Sequence, residues 1–407
     1  MKAIFVILSS VFAALLCSSI SYAQSENEMT QIYFDHLKEK KYNPRIFPKG
    51  RDGYGTPVQI YSTMYLIDIH KIDDFNMDYR AQFYFRQAWN DSRLAYQDMD
   101  ISTIILDDAE YIWTPDLFFL QEKEGIKHKI ITPNVFIRIS PEGEVLFSVR
   151  LTVTFSCGMD FRKYPHDSQE CKFQIESYGK SMKDLLIDWD PRQSHPVGKT
   201  EKINVLPFEL ESIGWGSRIT NFTSARYKVL EVTLVFNRNI GFYITRLYVP
   251  FIILVILSWL SFWIKPKLAI LRVPLLLVIM YIMLNIGSDI SSFIPPAPYT
   301  KASDVWIAVC ESLVFAAFLE FIYVSIVSKS EKKIGKKRYS TDPEAPMISI
   351  SDAKENSSSS EKISSSIKGV ANRLSNNRKI SQQIDMISRI LFPLLFVIFN
   401  IIYWIVY

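Results

Sequence analysis

Over residues 24–242 the chain alternates apolar and polar positions in short runs, among them QIYSTMYLIDI, AQFYFRQAW, NVFIRIS, EVLFSVRLTVTF and KVLEVTLVF. Turn sequences such as PEGE and NDSR separate them. Period-two alternation at this spacing predicts an antiparallel β-sandwich. The opening SENEMTQIYFDHLKEKK is the one stretch that suits a short helix. Further on the pattern changes to unbroken apolar runs at 243–264, 272–294, 304–327 and 386–407. Each has the length that crosses a bilayer as a helix. The expected fold is an all-β extracellular sandwich followed by an all-α four-helix transmembrane bundle.

Flanking sequences orient this plan. Residues 1–23 carry one Lys, a short apolar stretch and small residues at Ser21 and Ala23, which reads as a cleaved signal peptide. A retained anchor is the alternative, but the apolar stretch is short for a span. Lys265 and Lys267 follow the first span and KSEKKIGKKR follows the third, so both flanks are expected in the cytoplasm and the amino terminus outside, in a multi-pass plasma-membrane protein. Segment 329–385 has 12 Lys or Arg against 7 Asp or Glu and is rich in serine, which predicts a disordered cytoplasmic loop; its basic start is a solvated flank or a contact for anionic lipid. Sequons at Asn90 and Asn221 fall on the outer side and are expected glycosylation sites.

Composition excludes more than it selects. Hydrophobic residues make up 48% and charged residues 22% of the 407, which is too oily for an ordinary cytosolic enzyme and too apolar for wholesale disorder. A net charge of +4 gives no footing for nucleic acid. The sequence shows no Ser/His/Asp set, metal constellation or phosphate-cradling glycine loop, so neither an enzyme nor a cofactor is expected. Cys17 leaves with the signal peptide and Cys310 sits in the third span, leaving Cys157 and Cys171 outside. In an oxidising compartment these two read as one disulfide, a metal pair being the weaker alternative.

The loop CGMDFRKYPHDSQEC, with Tyr164, Pro165 and Asp167, resembles the signature of the Cys-loop receptors, the pentameric ligand-gated ion channels. IWTPDLFF, with Trp113, Pro115 and Asp116, and SWLSFWI before the second span support it. MDYRAQFYFRQAWNDSRLAY is most similar to glycine receptors and to invertebrate glutamate-gated and other chloride channels. The resemblance implies five subunits around a pore, with ligand sites between sandwiches. Its complementary face would be Tyr84, Arg86 and Ser148, with Arg150 two residues on. Arg suits an amino-acid carboxylate because its planar fork gives two parallel hydrogen bonds. Its principal face would be the aromatics Phe119, Tyr178, Phe222 and Tyr227, a box for an ammonium group, with Ser224 beside them. The loop around Phe222 lacks the second disulfide of glycine- and glutamate-gated members, as GABA-type members do. The ligand therefore stays open between amino acids and amines.

Histidines offer another trigger: His70, His128 and His166 are candidates for proton or zinc gating, although His128 faces Ile126 where zinc-sensitive relatives have a second histidine. In the second span Leu271, Arg272, Pro274, Val278, Tyr281, Asn285, Ser288 and Ser292 are the expected pore-lining set. Anion-selective relatives carry Pro-Ala-Arg at the inner mouth where this chain has Ile270, Leu271 and Arg272, and cation-selective ones carry Glu at the place of Leu271. Tyr281 stands where relatives keep a leucine gate, and Asp289 competes with Ser288 for the stripe. Rings of Pro274, Val278 and Tyr281 predict a narrow, poorly hydrated pore. Gating is expected to run through the Cys157–Cys171 loop, the linker with Pro295, Pro296, Tyr299 and Lys301, and Arg238 before the first span. The expected function is a ligand-gated chloride-channel subunit working with related subunits, the alternatives being a proton- or zinc-gated subunit and a non-conducting regulatory one.

Overall fold

The computed structural model describes residues 31–50, 55–97, 102–223, 225–264, 269–339 and 383–407. The expected signal peptide, Ser224 and residues 340–382 of the expected cytoplasmic loop lie outside the described residues. The chain divides into two compact units. One combines the chain up to Met159 with Ser168–Asn239, and the other combines Asp160–Asp167 with Ile240–Tyr407.

The first unit opens with α1, residues 31–39, on the segment expected to be helical. Tyr33 and Leu37, four apart and so on one face, are both buried. A sheet follows in which β1 (Val58–Asp73), β2 (Asp78–Asn90), β7 (Glu144–Ser156), β6 (Val135–Ile139) and β3 (Ile104–Leu106) are successive neighbours. In it β5 (Glu122–Lys127) pairs with β7, while β9 (Leu185–Trp189) and β10 (Val197–Lys199) pair with β1. The second sheet runs β11 (Asn204–Val205), β12 (Phe208–Asn221), β13 (Arg226–Arg238), β8 (Ser168–Ser177) and β4 (Leu117–Phe119). The sandwich is as expected, but β9 and β10 join β1 in parallel. Alternation fixes which face of a strand is buried and says nothing about the direction of its neighbour.

Aromatic rings fill the space between the sheets. Phe155 of β7 stacks on Phe173 of β8 with centroids 4.3 Å apart, and Phe83 of β2 lies 6.2 Å from Phe155. Burying one such side chain contributes about 1.5–3 kcal/mol. Cys157 and Cys171 form the expected disulfide, both of them buried.

Among the described residues of the second unit, four helices are long and apolar enough to cross a membrane: α2 (Gly241–Trp263), the Leu271–Ser292 part of α3 (Ala269–Ser292), the Ala302–Val327 part of α4 (Ala302–Tyr339), and α5 (Gln383–Val406). α2 widens into a π turn at Ile244–Tyr248, one residue before Pro250, which has no N–H to give an α-helical bond. α4 continues through the basic residues to Tyr339, so residues 329–339 of the segment expected to be disordered are helical. Lys and Arg are good helix formers, and an established helix extends through them.

Opening the disulfide with Cys157→Ala and Cys171→Ala should cost about 3 kcal/mol for a loop of this length. The midpoint of thermal unfolding of the solubilised full chain should fall, and an unchanged midpoint would refute a stabilising role.

Candidate functional site

The pairing of β2 with β7 builds one half of the site. Tyr84 lies opposite Arg150 and Arg86 opposite Ser148. Phe83 and Phe85 turn into the core, so Tyr84 and Arg86 are left on the exposed face. Tyr65 of β1, opposite Tyr84, and Phe136 of β6, opposite Ser148, widen this patch and are exposed. Neither was singled out from sequence, although both sit on alternating strands. Arg150 Nη1 donates to Asn134 Oδ1 at 3.4 Å. Among the described residues, no carboxylate forms an ion pair with Arg86 or Arg150. Two guanidinium groups on one face without a counter-charge suit an anionic ligand.

His128 is held on the same sheet, its Nε2 2.7 Å from Thr152 Oγ1 and 3.1 Å from Gln82 Nε2. Burial first, then the charges of Arg150, His70 and Arg80, hold its pKa below the ordinary histidine value. Among the described residues no group of three or more His, Cys, Asp or Glu gathers that would hold a metal ion.

The second sheet carries the aromatic half, with one correction. Phe119 is buried, its ring 5.5 Å from those of Phe83 and Phe85 and 5.6 Å from that of Phe155. It belongs to the sandwich core. Its neighbour Phe118, turned the other way by strand alternation, meets Tyr178 edge-on at 5.7 Å. Phe118 is therefore the ring this segment presents, and the period of two along β4 is the signal that would have found it. Asp116 anchors the loop that displays Tyr178: Ser177 Oγ donates to Oδ1 at 2.7 Å and the Gly179 amide to Oδ2 at 2.8 Å. Tyr178 itself is 82% exposed. At the β12–β13 turn, Phe222 and Tyr227 pack edge-on at 5.5 Å, and the Phe222 amide donates to the Ala225 carbonyl. The Met182 amide reaches the Arg226 carbonyl at 2.9 Å, linking the Tyr178 loop to this hairpin. The arginine and aromatic sets thus lie on different sheets of one sandwich.

In α3, Leu271, Pro274, Val278, Tyr281, Asn285, Ser288 and Ser292 are all exposed in the single chain, as is Asp289. Leu276, Ile279, Met283, Gly287 and Ile290 face the helix's own bundle. Arg272 departs from the expected stripe. It is fully buried, 3.6 Å from Asp385 of α5 and over the ring of Phe321 of α4 at 5.5 Å. Each helical step turns about 100°, so Arg272 lies roughly 200° from Pro274 and both cannot face one lumen. Glu320 of α4 faces the same buried cluster.

Arg238 pairs with Asp74, Nη1 2.6 Å from Oδ2 and Nη2 3.0 Å from Oδ1, and lies over Phe208 at 4.2 Å. Within the helical unit, the Phe161 amide donates to Tyr299 Oη at 3.1 Å, and the amides of Ala302 and Ser303 donate to the carbonyls of Arg162 and Tyr164 at 3.0 Å. Lys301, directly before α4, has Asp304 of that helix as charge partner, at 3.9 Å. Pro295 and Pro296 lie in the same linker, half-buried and exposed respectively. Asn221 is exposed, whereas Asn90 is half-buried, its amide donating to the Glu142 carbonyl at 3.3 Å.

Comparison with known proteins agrees with this geometry. Residues 30–243 match the neurotransmitter-gated ion-channel ligand binding domain, and residues 247–378 match the neurotransmitter-gated ion-channel transmembrane region. A glutamate-gated chloride channel of Drosophila melanogaster is 33% identical over 444 residues, covering 98% of this chain and 96% of that protein.

Two expectations test the scaffold. Asp116→Ala should speed hydrogen exchange at the Gly179 amide about tenfold or more, since a charge-assisted bond is lost; exchange at the wild-type rate would show that Asp116 does not hold the loop. Arg238→Gln should cost about 3–5 kcal/mol of stability by leaving Asp74 without its buried partner, and adding Asp74→Asn should recover part of it. Strictly additive losses in thermal unfolding would sink the pairing argument.

Proposed function

We propose, from the premise that this chain belongs to the neurotransmitter-gated ion-channel family and is a ligand-gated ion-channel subunit, that it serves a chloride channel opened by extracellular glutamate. The observation that carries the ligand is the β2–β7 face, where Arg86 and Arg150 stand near Ser148 with no carboxylate ion-pair partner among the described residues. Two guanidinium groups match two carboxylates, one each for the α and γ groups of a dicarboxylic amino acid. The ammonium group would meet Phe118, Tyr178, Phe222 and Tyr227 of the adjacent subunit, with Ser224 in the same loop, because one chain keeps the two sets on different sheets. The glutamate named for the Drosophila relative supports the same class of ligand.

The exposed stripe of α3 from Leu271 through Pro274, Val278, Tyr281, Asn285 and Ser288 to Ser292 lines the proposed pore. The absence of a Glu at position 271 favours anions over cations. Arg272 is turned into the bundle against Asp385, so it supplies no ring of positive charge to the lumen. With Tyr281 as the constriction, the homopentamer passes little current and related subunits supply a more open pore. The sandwich lies outside the plasma membrane, where Asn221 and Asn90 are the glycosylation sites, and the segment after α4 lies in the cytoplasm.

Voltage-clamp recording of cells expressing the chain alone and with related chloride-channel subunits tests this reading. Glutamate should evoke a current that reverses at the chloride potential and is larger in the mixture. Arg86→Ala should raise the half-activating glutamate concentration about 10- to 100-fold, the worth of a charge-assisted bond. A reversal potential that follows sodium, or unaltered sensitivity in Arg86→Ala, would refute it.

A further inference from the structure

Within the helical unit a chain of hydrogen bonds runs through groups that neither ligand binding nor ion passage uses. Nε2 of His166, in the loop closed by the disulfide, lies 2.9 Å from Tyr248 Oη of α2. Tyr248 Oη lies 2.8 Å from Tyr403 Oη of α5, which in turn lies 3.2 Å from the carbonyl oxygen of Ala302 at the start of α4. The Ala302 and Ser303 amides donate back to the carbonyls of Arg162 and Tyr164, so the circuit closes on the loop where it began.

Counting hydrogens fixes its direction. Three links need three hydrogens, and the two hydroxyls supply one each. The Ala302 carbonyl only accepts, so Tyr403 donates to it; the Tyr403 oxygen then accepts from Tyr248. The Tyr248 oxygen must accept as well, and the third hydrogen comes from the imidazole. With the hydrogen on Nδ1 instead, Nε2 would take the Tyr248 hydrogen and one of the three links would go unmade.

We infer that His166 carries its hydrogen on Nε2 and, as the donor heading this chain, is a positioning residue for gating that ties the disulfide loop to α5 and α4 in a proton-dependent way. A second proton on Nδ1 makes a ring that can only donate, which locks the chain in its complete form. The neutral ring can exchange tautomers and release one link. The charged group that bears on this titration is Asp167 on the same loop; the titratable groups linked to the ring are Tyr248 on α2 and Tyr403 on α5, with Tyr407 and Cys310 acting on Tyr403. Burial holds the His166 pKa below its ordinary value, and Asp167 opposes this shift. Locking therefore sets in on the acid side of about pH 6.5 and is absent at neutrality.

The electrical consequence rests on the channel reading above, whereas the tautomer does not. In nitrogen-15 spectra of histidine-labelled full-length protein in lipid, with His166→Gln assigning the signal, Nε2 of His166 should be protonated and Nδ1 bare at neutral pH. Tyr403→Phe leaves the Tyr248 hydrogen free to turn toward the ring, so a population with the hydrogen on Nδ1 should appear. A wild-type ring protonated on Nδ1, or a tautomer indifferent to Tyr403→Phe, would overturn the inference. In recordings with glutamate, lowering external pH from about 7.5 to about 5.5 should shift the half-activating concentration about 2- to 10-fold, the worth of one hydrogen bond. In His166→Gln, whose amide still donates, that shift should vanish; its persistence would equally overturn the assignment. A chain silent to glutamate in every subunit mixture would defeat the channel reading, while the spectra still decide His166.

Discussion

The stacking of Phe155 on Phe173 joins the two sheets, and the placement of the site follows from it. A strand that sends one residue into that core must send the next one out. β2 buries Phe83 and Phe85, so Tyr84 and Arg86 are outside; β4 buries Phe119, so Phe118 is outside. The proposed binding groups are the complement of a packed core. Their register cannot slip by one residue without turning rings into water and guanidinium groups into the sandwich.

Two buried arginines of this chain are paired with carboxylates. Arg238 meets Asp74 and Arg272 meets Asp385, because removing a cation from water is tolerable only against a close counter-charge. For Arg272 the pairing also bears on function: a guanidinium engaged inside the bundle is withdrawn from the field felt by a permeating ion. Arg86 and Arg150 contrast with these two, being charges on the proposed binding face that form no ion pair with a carboxylate among the described residues.

The disulfide loop contributes its residues Asp160–Asp167 to the helical unit, where they bond to the first turn of α4 through the Ala302 and Ser303 amides and to the linker before it through Tyr299. Tyr248 and Tyr403 extend that contact to α2 and α5. α5, the least buried of the four spans, is thereby joined to the loop by directional bonds as well as by ring packing, which includes His166 against Trp404 at 5.3 Å. Ring packing tolerates sliding, and hydrogen bonds do not.

Much of this was legible in the chain itself. Apolar length marked the four spans, cysteine arithmetic marked the disulfide, and alternation marked the strands that carry Tyr84, Arg86, Ser148 and Arg150. Phe119 in place of Phe118 and Arg272 within the stripe were misread where local geometry already held the answer, in a period of two and a turn of about 100°. Other features lie beyond local reading. The parallel pairing of β9 and β10, the lack of an ion pair at Arg86 and Arg150 among the described residues, and the contact of Tyr248 with Tyr403 across 155 residues depend on which distant segments meet. Sequence determined which residues each element buries and which it exposes, because that follows from the local repeat of the backbone. Only the tertiary structure decided which charges are neutralised and which hydroxyls share a hydrogen, because pairing is a property of distances between elements.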